Sequence, residues 1–217
     1  MKFYHYPHCP FCQRVRLVLK AKGIEYENIM PSYADVETPT NLIGSKMLPI
    51  IDFGDGTVMG ESLDLIKEIE KRFPKPTLTH NWIEPDLDWA SNIMTRAPKF
   101  WDVTLPYALD EFDGAPEFDE AGSKYFREGK EAKRGRTFED MKKDSVALYN
   151  QNLVIILAEI VERVEGGWVG QSFSMADCVL AADMSGLRSV RGIDIPPQII
   201  SYIEKVEDQC GEDLIDW

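Results

Sequence analysis

The sequence predicts an α/β domain over residues 1–74, a linker over 75–84 and an all-helical domain over 85–217. Three observations predict it. Short strand-like and helix-like segments alternate through the first third of the chain. Around Pro74, Pro76 and Pro85 the hydrophobic period is lost, as in a linker between domains. Beyond that point no convincing strand pattern occurs. A chain of 217 residues suits a small and a medium domain, each with its own core.

The elements follow in order. Residues 2–6 are short, aromatic and strand-like. From Cys9 the apolar side chains Val15, Val18 and Leu19 recur at helical spacing until Gly23 stops the helix. Residues 25–29 alternate charged and apolar side chains, as a half-buried strand does, and Thr38 and Pro39 open a short helix that Gly44 closes. Residues 49–53 and 57–59 flank Gly54, Asp55 and Gly56 in a hairpin pattern. Ser62 is placed to cap a helix carrying Leu65, Ile66, Ile69 and Phe73, which Pro74 ends. The order is β-α-β-α-β-β-α. In the second domain Tyr149, Leu153, Ile156, Leu157, Ile160 and Val164 mark one amphipathic helix, and Ile199, Tyr202, Ile203 and Val206 another. Ser174 and Asp177 have the spacing of a capping box, flanked by Phe173 and Cys178 as a hydrophobic staple, so Asp177 is expected to be structural.

Composition narrows the function. Lys and Arg total 24 against 37 Asp and Glu, and a net charge of −13 opposes binding to nucleic acid or anionic lipid. An acidic stretch at 110–120 and a Lys- and Arg-richer one at 124–143 are expected to be solvated helix faces. Residues 1–6 carry no targeting pattern and no run approaches the ~18 apolar residues of a membrane span, so a soluble, cytoplasmic protein is expected. Four cysteines are too few for a disulfide scaffold. Cys178 and Cys210 are expected to be a core thiol and a tail thiol without catalytic work.

The other two cysteines form Cys9-Pro10-Phe11-Cys12 where the first strand meets the first helix. There the first sulfur meets unpaired backbone N–H groups and the positive end of the helix dipole. Such a position brings a thiol from its ordinary ~8.5 to somewhere within ~3.5 to 7.5, so Cys9 is expected to be the attacking thiolate. Cys12, one turn further in, is shielded, stays protonated and suits the resolving step. Pro10 fits the first turn, having no N–H to leave unsatisfied. A zinc site fails on ligand count, since no second Cys-x-x-Cys exists and His5, His8 and His80 lack finger spacing; no metal is expected. His8 either lends positive charge to the thiolate or is a solvent-facing loop residue, and Arg16 either adds to the field at the sulfurs or is a solvated helix arginine. Spacing alone fits Glu61 and Ser62 to a helix cap as well as to a binding pair.

Together these residues resemble the glutaredoxins: Cys-Pro-Phe-Cys after the first strand, Leu48-Pro49 before the third, and Glu61-Ser62 at the last helix of the small domain. The resemblance extends to the large two-domain bacterial glutaredoxins, the glutaredoxin 2 type. It rests on Tyr6-Pro7-His8-Cys9-Pro10-Phe11-Cys12, Glu37-Thr38-Pro39-Thr40 and Gly44-Ser45-Lys46-Met47-Leu48-Pro49-Ile50. It implies a thioredoxin-like domain joined to a helical one in glutathione-transferase architecture, with a cis bond at Pro49. It also implies glutathione as co-substrate, paired through the Leu48 backbone beside Pro49, with Glu61 and Ser62 on the γ-glutamyl end. The implied activity is reduction of disulfide-containing or glutathionylated proteins by a monomer, Cys9 attacking and glutathione or Cys12 resolving.

One departure stands out. Most small glutaredoxins carry a lysine where Tyr6 stands, which leaves the glycine carboxylate of glutathione open between Lys46 and Arg16. The rival functions are a glutathione transferase, against which Cys9 counts, and an iron-sulfur carrier or scaffold module, against which Pro10 and Cys12 count.

Overall fold

The structure is a computed structural model and describes residues 1–79 and 83–215. His80 and part of the expected linker lie outside the described residues. The N-terminal part is a sheet of four strands in the order β2-β1-β3-β4. Strand β1 (Lys2–Tyr4) runs parallel to β2 (Glu27–Ile29) and antiparallel to β3 (Ile50–Asp52), which pairs with β4 (Val58–Met59). Helix α1 (Pro10–Ala21) makes the crossover that a parallel pair requires. Helix α2 (Glu37–Ile43) ends on Gly44 at φ 79°, a left-handed turn that glycine reaches without strain, and α3 (Ser62–Arg72) packs beside α1. Phe3 and Ile51, opposite each other on β1 and β3, join Val15, Leu19, Leu65 and Ile66 in the core. Their strand neighbours Tyr4 and Ile50 join Leu42 and Ile43 of α2 instead, as alternation across a pleated sheet demands.

The second part is helical: α4 (Ile83–Ser91), α5 (Ile93–Arg96), α6 (Phe100–Thr104), α7 (Ala108–Glu111), α8 (Glu120–Arg134), α9 (Phe138–Asn152), α10 (Val154–Arg163), α11 (Met175–Ser185) and α12 (Pro197–Cys210). The single helix expected over 149–164 is thus two, divided at Leu153. The apolar period hides the division because Leu153 N–H still reaches Tyr149 O at 2.9 Å and Leu157 N–H reaches Leu153 O at 2.9 Å. The Asn152 amide meanwhile donates to Leu148 O, a side-chain bond that competes with the helical ladder. Among the described residues no helix is long and apolar enough to cross a membrane.

Two separate cores were expected from the domain sizes, yet one apolar cluster runs from Phe3, Val18 and Leu19 to Val179, Leu180 and Ile203. Helices α1 and α11 meet along it. The polar side chains Gln13, Arg14 and Arg16 of α1 are buried as well, each with a partner across the seam. Arg14 grips Asp183 through Nε to Oδ1 at 2.7 Å and Nη2 to Oδ2 at 2.5 Å. Gln13 donates to Leu214 O at 3.0 Å and accepts from Ser185 Oγ at 2.8 Å. Arg16 is neither solvated nor turned to the sulfurs: its Nε lies 3.0 Å from Glu212 Oε1 and its Nη2 donates to Asp213 O at 3.0 Å. Cys210 is no tail thiol either; it is buried in the same apolar cluster as Cys178.

Helix α11, buried along its whole length, starts on the expected capping box. Ser174 N–H donates to Asp177 Oδ2 at 2.9 Å and Ala176 N–H to Ser174 Oγ at 3.3 Å. Asp177 Oδ1 also accepts from Val169 N–H and Tyr202 Oη, both at 2.8 Å, and burial raises its carboxyl pKa above the ordinary value. Replacing Asp177 by Ala orphans several buried donors at once, so a loss of roughly 2 to 4 kcal/mol is expected, beyond the ~0.5 to 2 of a lone cap. Denaturant unfolding measures it; a loss under ~1 kcal/mol contradicts this account.

Candidate active site

Cys9 is the N-cap of α1, with φ −85° and ψ 115°, and Pro10 opens the helix. The sulfur sits there beside the Cys12 thiol and the backbone N–H groups of Phe11 and Cys12, which favour its ionised form. Cys12 is the largest influence bringing the Cys9 pKa down to about 6, against the opposing effect of burial and with help from the charge of His8. Cys12 goes the other way: fully buried, its thiol is pushed well up, chiefly by desolvation. Tyr6 N–H donates to its sulfur at 3.4 Å. One thiol is thus poised to attack and its neighbour to hold a proton until needed.

Cys9 opens on a cavity of about 430 Å³ between the two parts of the chain, with Phe11, Leu48 and Lys46 on one side and Trp101, Phe112 and Lys130 on the other. The Leu48–Pro49 bond is cis. The Leu48 backbone enters no backbone hydrogen bond among the described residues, so its N–H and C=O are open to an added strand.

Glu61 and Ser62 stand apart from the cavity lining. Glu61, exposed and at φ 63°, takes the N-cap position of α3, a strained backbone state for a residue with a Cβ. Ser62 is therefore the first helical residue and not the cap expected of it. Its buried Oγ makes no capping bond and accepts from Arg14 Nη1 at 3.4 Å.

His8 is not a solvent-facing loop residue. Its Nδ1 lies 3.0 Å from Glu117 Oε1, its backbone N–H donates to the same oxygen at 3.2 Å, and the rings of Tyr6, Tyr33, Phe118 and Phe126 enclose it. Lys46 donates to Tyr33 O at 2.5 Å and sits 4.1 Å above the Tyr33 ring. Burial first, and the charge of Lys130 second, lower its pKa to about 8. Lys130, over the Tyr33 and Phe126 rings at 5.9 and 5.5 Å, is lowered by burial too. Neither lysine forms an ion pair with a carboxylate among the described residues, and of the carboxylates only the more distant Asp35 acts on Lys46 through its charge. Glu117 and Lys130 were missed from sequence because each lies within a charge stretch that passes for solvated surface. Among the described residues no three His, Cys, Asp or Glu side chains are placed to hold a metal ion.

Residues 98–216 match the family described as glutaredoxin 2, C-terminal domain, and residues 3–77 the N-terminal domain of glutathione S-transferases. Glutaredoxin 2 of Escherichia coli K12 is 31% identical over 217 residues, covering 99% of this chain and 98% of its own. The crystal structure of glutaredoxin 2 from Salmonella typhimurium in complex with glutathione superposes with a TM-score of 0.83 at 26% identity, over 99% of this chain and 96% of that one. A zeta-class bacterial glutathione transferase, maleyl pyruvate isomerase, shares the fold at a TM-score of 0.64 and 17% identity, over 99% and 94% of the two chains. The paired thiols at the head of α1, the cis Leu48–Pro49 bond and these full-length matches agree: the chain belongs to the glutaredoxin 2 family, the glutathione-dependent thiol-disulfide oxidoreductases built on glutathione-transferase architecture.

Proposed function

We propose that Cys9 and Cys12 carry this activity in a stated order. The Cys9 thiolate attacks the glutathione sulfur of a glutathionylated protein; the S–S bond breaks, and the protein thiolate leaves and takes a proton from solvent. A second glutathione thiolate then attacks the sulfur bound to Cys9, releasing glutathione disulfide and restoring the Cys9 thiolate. For a disulfide within a protein, Cys12 gives up its proton and attacks Cys9, freeing the substrate and leaving a Cys9–Cys12 disulfide for glutathione to reduce. The observation that carries this assignment is the placement of Cys9 at the N-cap of α1 with Cys12 buried one turn further in, which holds the first thiol's pKa low and the second's high. A transferase would need to activate the glutathione thiol, whereas a thiolate at Cys9 exchanges with disulfides instead.

In the same reading the Leu48 backbone, held by Pro49, pairs with the cysteine of glutathione, and Ser62 and Glu61 face its γ-glutamyl end. Ser62 stands at a helix N-terminus, where backbone N–H groups favour a carboxylate. Lys46 and Lys130 are our choice for the glycine carboxylate. Arg16 is committed to Glu212, while the two lysines flank the cavity outside any ion pair among the described residues. Glutathionylated proteins are the partners this site fits.

Replacing Cys9 by Ser is expected to abolish glutathione-dependent reduction of a small mixed disulfide. Cys12→Ser retains part of it and accumulates glutathione on Cys9, visible by mass spectrometry, because glutathione can resolve in place of Cys12. Full turnover by the Cys9→Ser protein refutes the order given.

The binding residues answer to a different measurement. Ser62→Ala removes one hydrogen bond to a charged group, so the glutathione KM is expected to rise about tenfold or more while Cys9 alkylation keeps its rate. Lys46 is charged below about pH 8 and neutral above it, so the KM should rise as pH passes 8. In Lys46→Met the KM is high throughout and that rise is absent. A pH profile shared by both proteins assigns the carboxylate elsewhere.

A further inference from the structure

Glu117 is a carboxylate with no exposed surface, placed on the turn Pro116–Phe118 and unused by the chemistry above. Burying an anion is costly unless something offsets its charge. Its Oε1 has the His8 ring and the His8 N–H; its Oε2 has no partner among the described residues. The imidazole is therefore the one group in contact that can carry a compensating charge. The turn is fastened in turn to the small domain, Tyr33 N–H donating to Glu117 O at 2.8 Å. With five aromatic rings packed around it, the His8 ring is held with Nδ1 toward Glu117, in the residue next to Cys9.

A carboxylate that orients an imidazole in the residue next to a cysteine nucleophile acts on the sulfur through the charge of the ring it holds, without a hydrogen bond between ring and sulfur. We propose that Glu117 is a positioning residue of the thiol reaction: its buried carboxylate fixes the His8 imidazole beside Cys9, and the pair adds to the stabilisation of the ionised sulfur that Cys12 chiefly supplies. This rests on Cys9 being the nucleophile. The helical domain, on this view, helps set the reactivity of a sulfur it does not carry. The influence of His8 on the Cys9 pKa agrees in sign. Cys9 also interacts with Cys12 on its own helix, Tyr6 and Tyr33 from the loops beside it and Lys130 of α8, and Lys46 stands across the cavity. Glu117 and the Tyr6 and Tyr33 phenols are the titratable groups that face His8.

The sign of the effect discriminates. Were Glu117 simply a nearby anion, removing it would let Cys9 ionise more readily and the midpoint of its alkylation would fall. Acting through His8, its removal must raise the midpoint. The experiment is the pH dependence of iodoacetamide alkylation of Cys9 in the full chain, located by mass spectrometry, with melting recorded alongside. Glu117→Gln is expected to shift the midpoint up by roughly half to one pH unit. His8→Asn should shift it at least as far, and adding Glu117→Gln to His8→Asn should produce no further rise. Glu117→Leu, which brings no buried polar side-chain atom of its own although it leaves the His8 N–H without its acceptor, replaces Gln should that variant fail to fold. The glutathione KM stays near its starting value throughout. A midpoint that is unmoved or falls in Glu117→Gln, or an equal rise with His8 already gone, overturns the proposal. Alkylation at low pH that survives Cys9→Ser overturns instead the assignment of the nucleophile.

Discussion

The architecture depends on the polar face of α1 being covered. Residues 12–19 are all buried, and Gln13, Arg14 and Arg16 among them would be ruinous in a core without partners. The bidentate grip of Arg14 on Asp183 is the centre of that cover, in the planar two-bond geometry that only a guanidinium and a carboxylate provide. Because the pair is desolvated, its worth lies less in net stability than in fixing one relative placement of α1 and α11. The cavity follows from that placement. Its walls come from both parts of the chain, and Arg14 reaches the Ser62 hydroxyl from the same position.

Charge is distributed within the cavity against the sign of the whole. The chain carries a net −13, yet Lys46, Lys130 and Lys133 line the space in front of Cys9. A cleft with low-dielectric walls concentrates such a local field, so an anionic substrate meets attraction at the mouth despite the acidic surface around it.

What the sequence disclosed was whatever acts locally. Cys9 and Pro10 announce a helix start, Gly44 a helix end, and Ser174 with Asp177 a cap, since each signal and its structural answer lie within one turn of chain. What it withheld needs a partner distant in sequence. Arg16 was open between a solvated helix arginine and one turned to the sulfurs because residues 212–214 that cover it carry no mark of doing so. Glu117 sat unremarked in an acidic stretch, although Pro116 and Phe118 beside it hint at burial. Ser62 was misjudged by one position, because nothing local foretells that Glu61 adopts a positive φ. The break at Leu153 was invisible because the apolar stripe continues through it.

The reach of the α1 contacts has a bearing on biosynthesis. Gln13 bonds to Leu214 across 201 residues of chain and Arg14 to Asp183 across 169. A ribosome adding roughly 5 to 20 residues per second leaves α1 waiting about eight to forty seconds for those partners. Through that interval the first helix holds two buried-to-be arginines that only water satisfies. The usual order, in which a leading domain folds before its successor is made, does not suit such a seam. The thiol pair is encoded at the beginning, but its finished surroundings arrive with residues made near the other end of the described chain.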